Sequence, residues 1–144
     1  MQNFLRVFIL LFLTNAIVFS SSTQAGISVV VSPDNETSSM SKEEVARLFL
    51  KKSKSFKSGD KAEPFDQGKG NDARISFYKK IVGKGPSQLM AYWSRMIFTG
   101  KGTPPKELDD NENVINSVSN NINAIGYIDA SSVDSRVKVL LTVN

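Results

Sequence analysis

Three kinds of apolar run follow one another along this chain, and each predicts a different element. Residues 7–19 are almost wholly apolar, broken only by Thr14 and Asn15. Ile27, Val29, Val30 and Val31 then make a short β-branched run that stops at Ser32, Pro33, Asp34 and Asn35, the pattern of a strand entering a turn. Its near-continuous apolarity predicts burial on both faces, as in a sheet with helices on either side. Residues 124–128 and 137–143 read as two further strands, and 62–65 as a short one whose pairing Pro64 limits.

Elsewhere the apolar positions recur at helical spacing. Ser41 and Glu44 form a capping box ahead of Val45, Leu48 and Phe49, with Lys51 and Lys52 complementing the dipole at the far end. Asn71 or Asp72 caps a second helix, in which Ile75, Tyr78 and Val82 form one stripe, Phe77 and Ile81 its shoulder, and Gly83 the stop. Gly85 and Pro86 open a third, where Leu89, Trp93, Met96 and Ile97 share a face and Trp93 is the expected core anchor. Residues 99–106 read as a loop. Asp109 with Glu112 resembles a capping pair for a fourth helix carrying Val114, Ile115 and Val118. Strands alternating with helices predict one α/β domain with a mixed β-sheet flanked by helices.

The first apolar run stands apart from that domain. Arg6 precedes it, it is short of the roughly 20 residues that span a bilayer, and Thr23 and Ala25 supply small residues three and one positions before a plausible cut. The expectation is a cleaved signal peptide at 1–25, a domain at 26–144 and a periplasmic location. Removing 25 of the 144 residues leaves 119, and losing Arg6 takes the formal charge from +4 to +3. The chain has no Cys and no His, which excludes disulfides, thiol catalysis, imidazole triads and nearly all zinc sites. No nucleophile has an evident base, so the sequence predicts a protein that is not an enzyme and needs no cofactor. Export and the lack of aromatic-interleaved basic motifs set nucleic acid aside.

The best candidate site is the stretch holding Gly68, Lys69, Gly70, Asn71, Asp72 and Arg74. Two glycines let backbone approach a ligand, a helix start offers free N–H groups, and Lys69 and Arg74 add charged donors for phosphate or a similar small anion. The competing account is a tight turn with an N-cap at Asp72 and two solvated cations. Lys51, Lys52, Lys54, Lys57 and Lys61, with Phe56 among them, could dock an acidic surface or serve as a solvated connection. Tyr78, Tyr92 and Trp93 fit core packing better than a sugar platform, and Asp109, Asp110 and Glu112 fit capping better than a cation site.

Taken together, the capped helix from Ser41 to Leu50, the glycine loop at 68–70, Phe98 to Gly102 and the Ile125, Gly126, Tyr127 strand give the chain a resemblance. It resembles one lobe of a periplasmic phosphate-binding protein of ABC transporters, a type II periplasmic binding protein in short, single-lobe form. The resemblance covers nearly everything after the N-terminal segment and implies a phosphate-binding, substrate-binding role in transport. In that family the loop reads Arg-x-Asp-x-Ser-Gly-Thr, whose arginine and hydroxyls donate to the anion. No register of this sequence restores that pattern: Asp66 lies near the arginine position, and Asn71 and Asp72 lie near Ser-Gly-Thr. The resemblance therefore implies either weak or partner-assisted phosphate binding, or a ligand-free lobe docking a membrane sensor, porin or transporter component.

Overall fold

The computed structural model describes residues 26–144, so the expected signal peptide lies outside the described residues. The five strands among the described residues are β1 (Ile27–Val31), β2 (Glu63–Gln67), β3 (Lys106–Leu108), β4 (Ala124–Asp129) and β5 (Lys138–Val143). They form one sheet in the order β3-β2-β4-β1-β5. β2 runs parallel to β3 and β4, whereas β1 is antiparallel to both β4 and β5. Parallel neighbours require crossovers. Helices α2 (Asp72–Phe77) and α3 (Pro86–Phe98) carry the chain from β2 to β3, and α4 (Asn111–Ser119) carries it from β3 to β4. Helix α1 (Lys42–Phe49) links β1 to β2.

Side-chain alternation splits the core into two layers. Val29 and Val31 of β1, with Ile125 and Tyr127 of β4, pack on Leu48, Phe49, Phe77 and Trp93 from α1, α2 and α3. Val30, Phe65, Ala124 and Ile128 face the other way, onto Val114, Ile115 and Val118 of α4. Gly126 lies on the α4 side, where a Cβ would come 2.5 Å from Val114 Cγ1. A glycine is what allows the helix to sit that close to the sheet. All five residues of β1 are buried, as two-sided coverage requires.

The capping box at α1 forms as the sequence predicts: Ser41 Oγ accepts from the Glu44 N–H at 3.2 Å, and Glu44 Oε2 accepts from the Ser41 N–H at 2.8 Å. The basic loop after α1 folds back on itself through a bridge between Ser55 and Lys61, with Phe56 buried in the core and Lys57 paired with Glu44 at 2.5 Å. It is a packed connection with solvated lysines.

Four local expectations differ from the structure. β2 runs on to Gln67, which places Asp66 and Gln67 in the buried strand instead of the loop. The second helix widens into a π-helical turn at Tyr78–Val82, and its buried stripe is Ala73, Phe77 and Ile81 with Tyr78 beside it, leaving Ile75 48% exposed. The expected loop holds over 99–105, but its last residue, Lys106, opens the short edge strand β3. Asp110, not Asp109, caps α4, accepting from the Asn113 N–H at 2.8 Å.

Candidate functional site

In sheets of this kind ligands bind beyond the carboxyl ends of parallel strands. Here the end of β2 presents Asp66, a carboxylate only 1% exposed. Ionised groups are rarely buried to this extent without partners. The Tyr78 hydroxyl donates to Oδ2 at 2.6 Å, the Tyr127 hydroxyl donates to Oδ1, and the Gln67 backbone N–H donates to Oδ1 at 2.8 Å. The Arg74 guanidinium approaches from α2, its Nε 3.4 Å from Oδ1 but not aligned as a hydrogen bond, with one terminal nitrogen 3.9 Å from Glu107. Tyr127 is fixed by a parallel stack on Phe77, ring centroids 3.9 Å apart.

The electrostatics follow from burial. Burial first, then the neighbouring charge of Asp66 and the bond donated to it, hold the Tyr78 and Tyr127 hydroxyls well above the ordinary phenol range. For Arg74, burial works against the charged form, but the charge of Asp66 outweighs it with help from Glu107 and the tyrosines, and the net shift is upward. The cluster is a donor cage closed around one carboxylate.

A second chain of bonds ties the cage to the end of β4. Gln67 Nε2 donates to Asn111 Oδ1 at 3.0 Å and to the Tyr127 carbonyl at 2.9 Å. Asn111 Nδ2 donates to Asp129 Oδ2 at 2.7 Å, and the Asp129 N–H returns to Asn111 Oδ1 at 3.2 Å. The first residue of α4 is thereby pinned to the tips of both parallel strands.

The six residues singled out from the sequence divide in their roles. The Gly68 N–H donates to the Leu108 carbonyl and the Gly68 carbonyl accepts from the Asn71 N–H, making a turn in which Gly70 takes φ 84°. Asn71, not Asp72, is the N-cap, its Oδ1 accepting from the Ala73 N–H at 2.9 Å. Asp72 and Lys69 are exposed. Arg74 turns inward to Asp66. Sequence reasoning named the loop and missed the cage: Tyr78 read as one of an apolar stripe, and nothing local links Asp66 to Tyr127 across the chain. The available signal was Asp66 itself, an acid between a predicted strand and a glycine loop.

No family model matches the chain, and no curated protein does. Solved structures do. A phosphate ABC transporter substrate-binding protein from Clostridium perfringens, solved with bound phosphate, superposes with a TM-score of 0.66 at 22% identity, covering 81% of this chain and 44% of that one. The fold is that of one periplasmic-binding-protein lobe. An ABC-type phosphate transport receptor from Vibrio cholerae gives a TM-score of 0.63 at 19% identity over 81% of this chain and 45% of the receptor. PstS from Borrelia burgdorferi gives 0.60 at 14% identity, over 81% and 47%. The chain thus spans under half the length of each, and identity this low speaks for the shared architecture alone.

Proposed function

We propose that this chain is an extracytoplasmic binding-protein lobe of the phosphate-transporter type whose anion position is held by its own Asp66, and that it acts as a docking module for a membrane sensor, porin or transporter component. The observation that carries this reading is the closed cage. Tyr78, Tyr127, the Gln67 N–H and Arg74 converge on one internal carboxylate at the end of β2. A second anion placed there would meet a like charge and find both hydroxyls and the Gln67 N–H engaged. Export through a cleaved signal peptide at 1–25 belongs to the same reading, and the intact mass of protein from the producing cell should match a chain starting near Gly26. The role is binding, not catalysis.

A second reading is favoured by Lys69. It is exposed beside Gly68 and Gly70, around which space is open, so phosphate could bind weakly on the loop outside the cage. A calorimetric titration with phosphate separates the two. The docking reading expects no heat at millimolar phosphate from the wild type or from Asp72→Ser, which removes a like charge and adds a hydroxyl at the helix start. Heat that Lys69→Ala abolishes would establish the loop as a phosphate site and end the docking account. Photo-crosslinking from the loop surface in the periplasm then identifies the membrane component.

A further inference from the structure

Next to the cage, between α2, α3 and the edge strand β3, lies a groove of about 530 Å³. That volume falls in the range of small-molecule sites, roughly 300–1,000 Å³. Ile75, Met90 and Ile97 stand in its walls, 48%, 69% and 55% exposed, with Leu89 and Trp93 deeper. Three of the five large apolar side chains exposed among the described residues therefore gather in one trough. Scattered apolar residues need no explanation, whereas a contiguous patch marks an interaction site.

The rim has the opposite character. Lys69, Lys79 and Lys84 border the groove and form no salt bridge among the described residues. Arg74 also reaches it, and the single acid at the rim, Glu107, lies by Arg74. The indole N–H of Trp93 is buried with no acceptor among the described residues, an uncommon state for a donor. We propose that this groove binds a small amphiphilic anion, an aliphatic tail carrying a carboxylate or phosphate head. The tail covers Ile75, Met90 and Ile97, and the head meets the lysines as point charges. A wholly neutral apolar ligand leaves the cations unmatched, inorganic phosphate leaves the apolar walls wet, and a second copy of the chain brings the same lysines against each other. An unbranched tail suits Met90, whose flexible thioether adapts its shape to the occupant.

Trp93 is the sole tryptophan of the chain, so its fluorescence reports the groove directly. The purified protein is titrated with decanoate and with decyl phosphate below their micelle concentrations, and with decanol and inorganic phosphate as controls. A saturable change with one or both amphiphilic anions is expected, at least about tenfold tighter than with decanol, and no change with inorganic phosphate. The stronger of the two anions identifies the head group. Ile97→Glu, and Lys69→Ala combined with Lys79→Ala, should each weaken that binding about tenfold while leaving the melting temperature unchanged, because all three side chains are exposed. The proposal is overturned by a flat response to both anions, by equal affinity for decanol, by variants that bind as the wild type does, or by saturable binding of an acidic amphipathic peptide where neither amphiphile binds.

Discussion

Arg136 and Arg74 each sit between two carboxylates, the first among exposed partners and the second against a buried one. Arg136 donates to Glu112 at 2.6 and 3.0 Å and to Asp134 at 2.7 Å, with all three side chains open to water. Arg74 is 3.4 Å from Asp66 without alignment and 3.9 Å from Glu107, yet its side chain is 13% exposed and that of Asp66 only 1%. Distance alone would rank the surface trio as the stronger. Water reverses the ranking, because exposed ion pairs are screened and hold two long side chains in place for little gain. The buried carboxylate has no such refuge, and its stability rests on the number of aligned donors around it. Two tyrosine hydroxyls and one backbone N–H supply what the arginine geometry does not.

That contrast is open to direct test. Asp66→Ala should have the largest effect, a loss of about 3–5 kcal/mol in urea unfolding, because it strips the partner from a buried cation and orphans two hydroxyls. A loss under about 1 kcal/mol would mean that the cage is wetter than its geometry shows. Tyr127→Phe removes one donor while keeping the stack on Phe77, and about 1.5–3 kcal/mol should be lost, the range for a hydrogen bond to a charged group. Measured against Tyr78→Phe in the same solvent, it tests whether the carboxylate depends on both hydroxyls.

Alkaline titration sharpens the point further. The folded state holds the protons of Tyr78 and Tyr127 above the ordinary value of 10.0. The unfolded chain therefore gives them up first as pH rises, and the stability they confer is complete below pH 10 and declines above it. Their absorbance change should coincide with loss of circular dichroism, not precede it, and a separate earlier ionisation would show them accessible. Arg136→Ala should do least, leaving the urea midpoint where it was in moderate salt; a clear drop would show that the surface trio is coupled to the fold through α4.

Much of the architecture was legible because it is written locally. The Ser41–Glu44 box, the Gly85–Pro86 start and the apolar stripes of Leu89 with Trp93 and of Val114 with Val118 each occupy a few neighbouring residues, and all formed where expected. The α/β class followed from their order. Two things were hidden. β3 owes its existence to the register Phe65 to Lys106 with β2, a non-local pairing that no propensity within Lys106–Leu108 announces. The cage joins Asp66 to Tyr127 through the β2–β4 neighbourhood, so its members become partners only once the sheet order is known. The glycine loop was visible for its residue types, but the Gly68 N–H goes to the Leu108 carbonyl, its carbonyl closes a turn and Asn71 caps α2, and only the structure reveals that.

The sheet order also dictates when the sheet can close. β1 occupies an interior place, with Ile27 opposite Asp129 on one side and Val143 on the other, so it is completed by two strands that come far later in the chain. Such pairings close very long loops and form slowly compared with helical contacts. Until they form, a valine-rich segment with both backbone edges unpaired waits in the growing chain, a state prone to strand-to-strand association. Folding here is thus a race against chain length, and a molecule cut short before Lys138 would leave Ile27–Val31 without one of its two neighbours however well its helices had formed.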